Sequence, residues 1–241
     1  MQNQKIIALG GTKGGIGKST LSSILADAIA NQEDEESKTV LIVNFDESQK
    51  TEEVNPQHTT MSVSQIYNYI FGEIDDNLSI EETNKLLVTG LLQAIENQLE
   101  FDYIIFDTPG ELNSIFLSVL HKIDLFIVPF MAGERNLNSL EYFCKSLFAL
   151  TQANTKVLFI YNQYRNKTKF PFEETILNIK EKIKGVNIVS EFHKFYFSEA
   201  IITMENERKG INLLYNNNKL AYRIIKKRTD QFLNNVLKIL N

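Results

Sequence analysis

The stretch Gly10-Gly11-Thr12-Lys13-Gly14-Gly15-Ile16-Gly17-Lys18-Ser19-Thr20 constrains this chain more than any other feature. The apolar run Lys5–Leu9 leads into it, and Leu21, Ile24, Leu25, Ala28 and Ile29 recur after it at helical spacing. The order is strand, glycine-rich turn, helix. Gly14, Gly15 and Gly17 let the backbone approach an anion with no Cβ in the way. A helix starting at Lys18 directs free N–H groups and the positive end of its dipole at the same point. With the backbone around Ile16, this forms a phosphate-binding loop. Lys18 is expected to reach the β- and γ-phosphates of a nucleotide, Ser19 to place its hydroxyl on Mg²⁺, and Thr20 to support the α-phosphate. The strict pattern G-x-x-x-x-G-K-[ST] has glycine where this chain has Thr12, so the loop is a variant.

Lys13 is the unusual residue in the loop. A second lysine adds more charge than one nucleotide site needs. It can instead serve the nucleotide of a neighbouring subunit, which predicts a protein that dimerises around ATP.

The remaining apolar runs are Thr39–Val43, Tyr103–Phe106, Leu125–Pro129, Val157–Tyr161 and a weaker Val186–Val189. Helical segments alternate with them, at Glu82–Gln98, Asn136–Leu150, Glu173–Lys184 and Lys219–Leu240. Continuous apolar strands joined by helices predict an α/β fold, a mostly parallel sheet with helices on both faces, like that of P-loop NTPases. Right-handed crossovers then gather the loops after the strands along one sheet edge. The acidic stretch Asn31–Lys38 reads as a solvated connection, and Glu47–Thr60 as an irregular loop beside the site. No linker, repeat or composition shift divides the 241 residues, so a single domain is expected.

Two strands end in carboxylates on that edge. Val40–Val43 runs through Asn44 and Phe45 into Asp46, and Tyr103–Phe106 runs into Asp107-Thr108-Pro109-Gly110. Asp107 fits a Walker B residue that holds Mg²⁺ through water, and Asp46 fits the residue that positions the attacking water.

Residues 13–19 resemble the deviant Walker A motif of the ParA/MinD family of ATPases. The resemblance continues through Asp46, Asp107–Gly110, Asp124–Pro129 with its following helix, Ser198-Glu199-Ala200, Gly210 and Tyr215. It implies that Lys13 contacts the partner subunit's ATP in a sandwich dimer, and that Asn162, after the run ending at Tyr161, contacts adenine. With its first strand at Lys5, the chain is most similar to the short ParA-type partition ATPases. It departs from the family at Asn44, where an aspartate is usual, and at Glu47-Ser48, where Pro-Gln is usual. Losing a charge at position 44 bears on hydrolysis more than on binding.

Charge divides along the chain. Residues 1–120 carry 6 Lys/Arg against 19 Asp/Glu, whereas residues 121–241 carry 19 against 11. Lys219, Arg223, Lys226, Lys227 and Arg228 form a basic segment, with 219, 223, 226 and 227 on one side of a helix. Lys167, Lys169 and Lys194 can extend that patch. The resemblance implies non-specific DNA binding by the ATP-dependent homodimer, and hydrolysis stimulated by a ParB-like centromere-binding protein. The cargo would be a plasmid or a chromosome. The amphipathic end of the same helix, Phe232–Leu240, raises a MinD-like membrane-associated ATPase as the alternative; packing onto the domain is the expected use of those residues. Cys144, the sole cysteine, is expected in the core, and one cysteine cannot hold the cluster of an iron–sulfur reductase. A metabolic ligase would have no evident need of Lys13 or the basic helix. The N-terminus shows no secretory signal pattern and no run reaches membrane-spanning length, so a cytoplasmic, nucleoid-associated protein is expected.

Overall fold

The computed structural model describes residues 4–11, 15–32, 38–45, 58–98, 100–108, 113–131, 134–148, 156–164, 193–196 and 219–241, with further positions at 174, 177–178, 181 and 187–188. The apolar runs form strands β1 (Lys5–Leu9), β2 (Val40–Asn44), β4 (Tyr103–Asp107), β5 (Leu125–Phe130), β6 (Lys156–Tyr164) and the short β7 (Asn187–Ile188). Two more strands, β3 (Thr59–Ser62) and β8 (His193–Tyr196), complete a sheet ordered β3-β2-β4-β1-β5-β6-β7, with β8 also pairing with β6. Every pairing is parallel.

Alternation along the strands divides the core between two faces. Ile7, Leu9, Ile42, Ile105, Ile127, Leu158 and Ile160 face one way. They pack under helix α1 (Lys18–Ala30) and the C-terminal helix (Lys219–Leu240) through Leu21, Ile24, Leu25, Phe232 and Val236. Ala8, Val43, Phe106, Val128 and Phe159 face the other way. That face is covered by α2 (Val63–Phe71), α3 (Ile80–Gln93), α4 (Ser114–Val119) and α5 (Glu134–Phe148). A parallel sheet covered on both faces needs apolar side chains on both, which is why its strands read as continuous runs.

The structure corrects the sequence reading at several points. Thr59 and Thr60, expected within a loop, begin β3. Its Thr-Thr-Met-Ser sequence has no apolar run because it is an edge strand beside β2. Helix α2 was not expected, yet Ser62 and Gln65 form a capping box at its start. An equivalent box between Ser79 and Glu82 starts α3 at Ile80, ahead of the expected Glu82. Beyond Gln93 the backbone widens into a π-helical turn, Ala94–Gln98. Helix α4 has six residues, too few for a periodic signal, and is capped by Asn113. Positions 174, 177, 178 and 181 are helical as expected; the rest of Glu173–Lys184 lies outside the described residues.

Acidic side chains close the amino edge of the sheet. Asp124 Oδ2 accepts the Ile6 N–H (2.8 Å), and Asp102 Oδ2 accepts from the Thr39 N–H and hydroxyl (2.8 and 3.0 Å). These carboxylates satisfy backbone and turn groups where parallel pairing has not yet begun.

Cys144 is buried on α5, and desolvation, with Glu141 nearby, pushes its thiol well above the ordinary range. A thiolate is the reactive species, so native protein at pH 8 is expected to resist a disulfide reagent such as Ellman's. Release of one equivalent should follow the urea unfolding transition. Rapid labelling of the native protein would contradict the burial.

Candidate nucleotide site

Parallel register brings the ends of the central strands level. Leu9 pairs with Asp107, and Asp107 pairs with Asn44 on its other side. Their shared alternation places Asn44 and Asp107 on the sheet face that carries α1. Asn44 and Asp107 are both buried, 3% and 7% exposed, so this polar pair sits inside the protein at the edge where α1 begins.

Three strands hold the chain as it leaves β1. The Gly10 N–H donates to Ile127 O on β5 (3.0 Å), while Thr108 donates to Leu9 O through its N–H (3.2 Å) and its hydroxyl (2.7 Å). On the far side of the turn, the Asn162 amide Nδ2 on β6 donates to Ile16 O (2.6 Å). A Cβ at Gly10 would strike the Phe126 ring, and one at Gly11 would strike Ile16, so these two glycines allow close packing where the chain leaves β1.

Gly15 and Gly17 adopt φ of 74° and 87°, the left-handed region that suits glycine. Gly17 is the N-cap of α1, yet no side chain caps this helix and no acid lies in its first turn. The following N–H groups and the dipole therefore point out of the helix start, as an anion site requires. Lys18 is 8% exposed, Ser19 is exposed and Thr20 is half-buried. The structure thus brings Gly15, Ile16, Gly17, Lys18, Ser19, Thr20, Asp107 and Asn162 to one edge of the sheet. Lys13, Gly14 and Asp46 lie outside the described residues, as do Glu47–Ser48, Lys167, Lys169, Ser198–Ala200, Gly210 and Tyr215. Sequence reasoning missed Thr108, although a hydroxyl directly after a strand-end aspartate was a usable signal. It assigned Asn162 to adenine and did not foresee its bond to Ile16, because 146 residues separate the partners.

The basic segment lies on the C-terminal helix. Arg223, Lys226 and Lys227 are exposed and Arg228 is half-buried, while Lys219 is described through its backbone only. Lys226 meets Asp230 at 3.5 Å, an exposed pair of small energetic weight. Ile225, Phe232, Leu233, Val236 and Leu240 on the same helix are buried, and Lys156 Nζ donates to Ile239 O near its end. Lys194 lies in β8, where only the backbone is described. No described helix is long and apolar enough to cross a membrane.

Residues 5–170 match the family model described as ATPase MipZ. A search of curated protein sequences found no match. Among solved structures, the chain resembles a putative plasmid partition protein from Borrelia burgdorferi B31 bound to AMPPNP. That match has 19% identity and a TM-score of 0.59, covering 97% of this chain and 100% of that one. It also resembles a Cyanothece McdA variant in complex with ATP (18%, TM-score 0.58, 95% and 97% covered). A third likeness is to the septum site-determining protein MinD from Pyrococcus horikoshii OT3 complexed with Mg-ADP (14%, TM-score 0.57, 95% and 96% covered). At these identities the likenesses establish a shared fold.

The two left-handed glycines should respond differently to substitution. Alanine there costs about 1–2 kcal/mol in backbone strain. At Gly15 a Cβ meets nothing within 4 Å, whereas at Gly17 it collides with Asn162 Nδ2. Gly17→Ala is therefore expected to lower thermal stability and weaken binding of a fluorescent ATP analogue more than Gly15→Ala. Equal effects would contradict the packing of Asn162 against the loop.

Proposed function

Because the chain belongs to the MipZ family of ParA/MinD-type ATPases, we propose that it acts over its whole length as a ParA-type partition ATPase, a cytoplasmic switch whose ATP-bound homodimer coats nucleoid DNA. In this reading the glycine loop and the start of α1 hold the phosphates, with Lys18 on the β- and γ-phosphates and Thr20 beside the α-phosphate. The hydroxyl of Ser19 and the carboxylate of Asp107, brought to one edge of the sheet, form a hard-oxygen donor set that suits Mg²⁺. When bound, Mg²⁺ would neutralise charge on the β- and γ-phosphates. Asp46 orients a water against the γ-phosphorus. A new P–O bond forms, the bond to the β–γ bridging oxygen breaks, and ADP and phosphate leave. Lys13 reaches the partner subunit's ATP, which makes dimerisation conditional on the nucleotide. A ParB-like protein stimulates turnover and so releases the dimer from DNA, moving a plasmid or chromosome.

The observation that carries the choice of DNA is the division of labour on the C-terminal helix. Arg223, Lys226 and Lys227 are exposed, while Ile225, Phe232, Leu233, Val236 and Leu240 are buried in the cluster formed with α1 and the sheet, with Leu237 and Ile239 partly buried against it. A membrane-seeking helix needs its apolar face available. Here the described apolar residues from Ile225 to Leu240 pack into or against the core, which leaves the exposed basic residues as the surface for a polyanion. Two subunits double the charge, and counterion release makes such binding steeply salt-dependent.

The wild type with ATP is expected to sediment with duplex DNA and not with anionic liposomes, and to release DNA as salt rises. Combined alanine substitution of Arg223, Lys226 and Lys227 should flatten the salt dependence, by up to about 0.9 in log–log slope for each phosphate that is no longer neutralised. Liposome capture without DNA capture would favour the MinD-like alternative. Size-exclusion chromatography tests the active residues. With ATP, Asp46→Ala should persist as a dimer with little turnover, whereas Lys13→Ala should bind ATP and stay monomeric. A Lys13→Ala dimer would remove the trans role, and normal hydrolysis by Asp46→Ala would remove the catalytic one.

A further inference from the structure

We propose that Asn162 is a positioning residue that sets the backbone where the phosphate loop enters α1, at Ile16 and Gly17, independently of any contact with a base. This deepens the nucleotide reading of the site and rests on it. Three observations carry it. Asn162 is a buried residue, 7% exposed, and its amide bond to Ile16 is buried, so the donor is withdrawn from water and needs a protein partner. Its Nδ2 donates to Ile16 O at 2.6 Å, joining β6 to the far end of the loop. Directly after that carbonyl comes Gly17 in the left-handed region, where a Cβ would collide with the same Nδ2.

The mechanism follows from the peptide unit. The Ile16 C=O and the Gly17 N–H belong to one planar trans group and point in opposite directions. Holding the carbonyl toward β6 therefore turns the Gly17 N–H away from it. Gly17 also caps α1, whose first N–H groups carry no side-chain cap. One hydrogen bond thus orients a loop amide and fixes the backbone from which the helix start is built. Preorganised donors bind an anion more tightly than donors that must first be ordered. The other end of the turn is held separately, by Gly10 on Ile127 and Thr108 on Leu9, so Asn162 clamps the exit while the sheet clamps the entrance. Gly17 lacks a Cβ for two reasons: its φ, and the space that Asn162 occupies.

Base-free inorganic tripolyphosphate separates this role from adenine recognition. Competition against a fluorescent ATP analogue would give affinities for ATP and tripolyphosphate in the wild type and in Asn162→Leu, which removes the amide at similar size and without charge. Both affinities are expected to fall by the same factor, on the order of tenfold for one buried hydrogen bond. Asn162→Gln, which keeps the carboxamide on a longer stem, should recover part of both affinities. A fall in ATP affinity with tripolyphosphate unchanged would overturn the brace and leave a base contact. If Asn162→Leu does not fold, as judged by circular dichroism, Asn162→Ala combined with Gly17→Ala replaces it. The double variant should bind tripolyphosphate no worse than Gly17→Ala alone, because the two changes disrupt one contact. Independent, additive effects would overturn the proposal. A wild type that binds neither ligand would remove the nucleotide reading and the brace with it. Normal wild-type binding with an unaffected Asn162→Leu would remove the brace alone.

Discussion

The structure depends on how the chain leaves β1. A central parallel strand has its backbone groups paired on both sides, and they must remain satisfied as the chain turns out of the sheet. Here β5 and β4 provide for them through the bonds to Ile127 O and Leu9 O. Those contacts come from neighbouring strands, so the sheet itself fixes the point at which the chain leaves β1 for the loop. The same register puts Asp107 level with Leu9, so the candidate metal-holding carboxylate and the loop are positioned by one set of backbone bonds.

The two edges of the sheet use acidic residues in opposite ways. At the amino edge, Asp102 and Asp124 accept backbone N–H groups that pairing leaves unserved. At the carboxyl edge, Asp107 follows a run of paired apolar residues and meets the start of α1. A strand-end aspartate is therefore ambiguous by type alone. What separates the two uses is which end of the strand carries it, and in a parallel sheet that also decides whether it faces the helix N-terminus.

Most of this fold was legible because burial on both faces writes itself into the sequence as apolar runs. β1, β2, β4, β5 and β6 follow from that pattern, as do α1 and the C-terminal helix. β3 and α4 were hidden for a physical reason: an edge strand can remain polar, and six residues span fewer than two helical turns. α2 was a different kind of omission, since Ser62 and Gln65 announce its start through local capping chemistry. Within the site, Lys18, Ser19 and Asp107 were readable because local motifs specify them. The contact between Asn162 and Ile16 was not, since it exists only once β6 lies two strands from β1. Lys13 and Asp46 remain sequence-based assignments, as both lie outside the described residues.

Asn44 follows from the same geometry. It is level with Asp107 on the adjacent strand, and both side chains are buried. An aspartate at 44 would set two carboxylates side by side, with little solvent to screen them, at an edge that must also accept phosphate charge. Asparagine keeps a polar group there with donor and acceptor capacity and removes the repulsion. That spares a buried edge a second carboxylate and suits it to anions. The disadvantage falls on any step that needs a second negative charge at this level, such as activating water, which leaves Asp46 as the acid assigned to that task. On the proposed reading, binding and turnover are thus separable: the loop, Asn44 and Asp107 would serve to hold the nucleotide, while hydrolysis would rest on fewer groups.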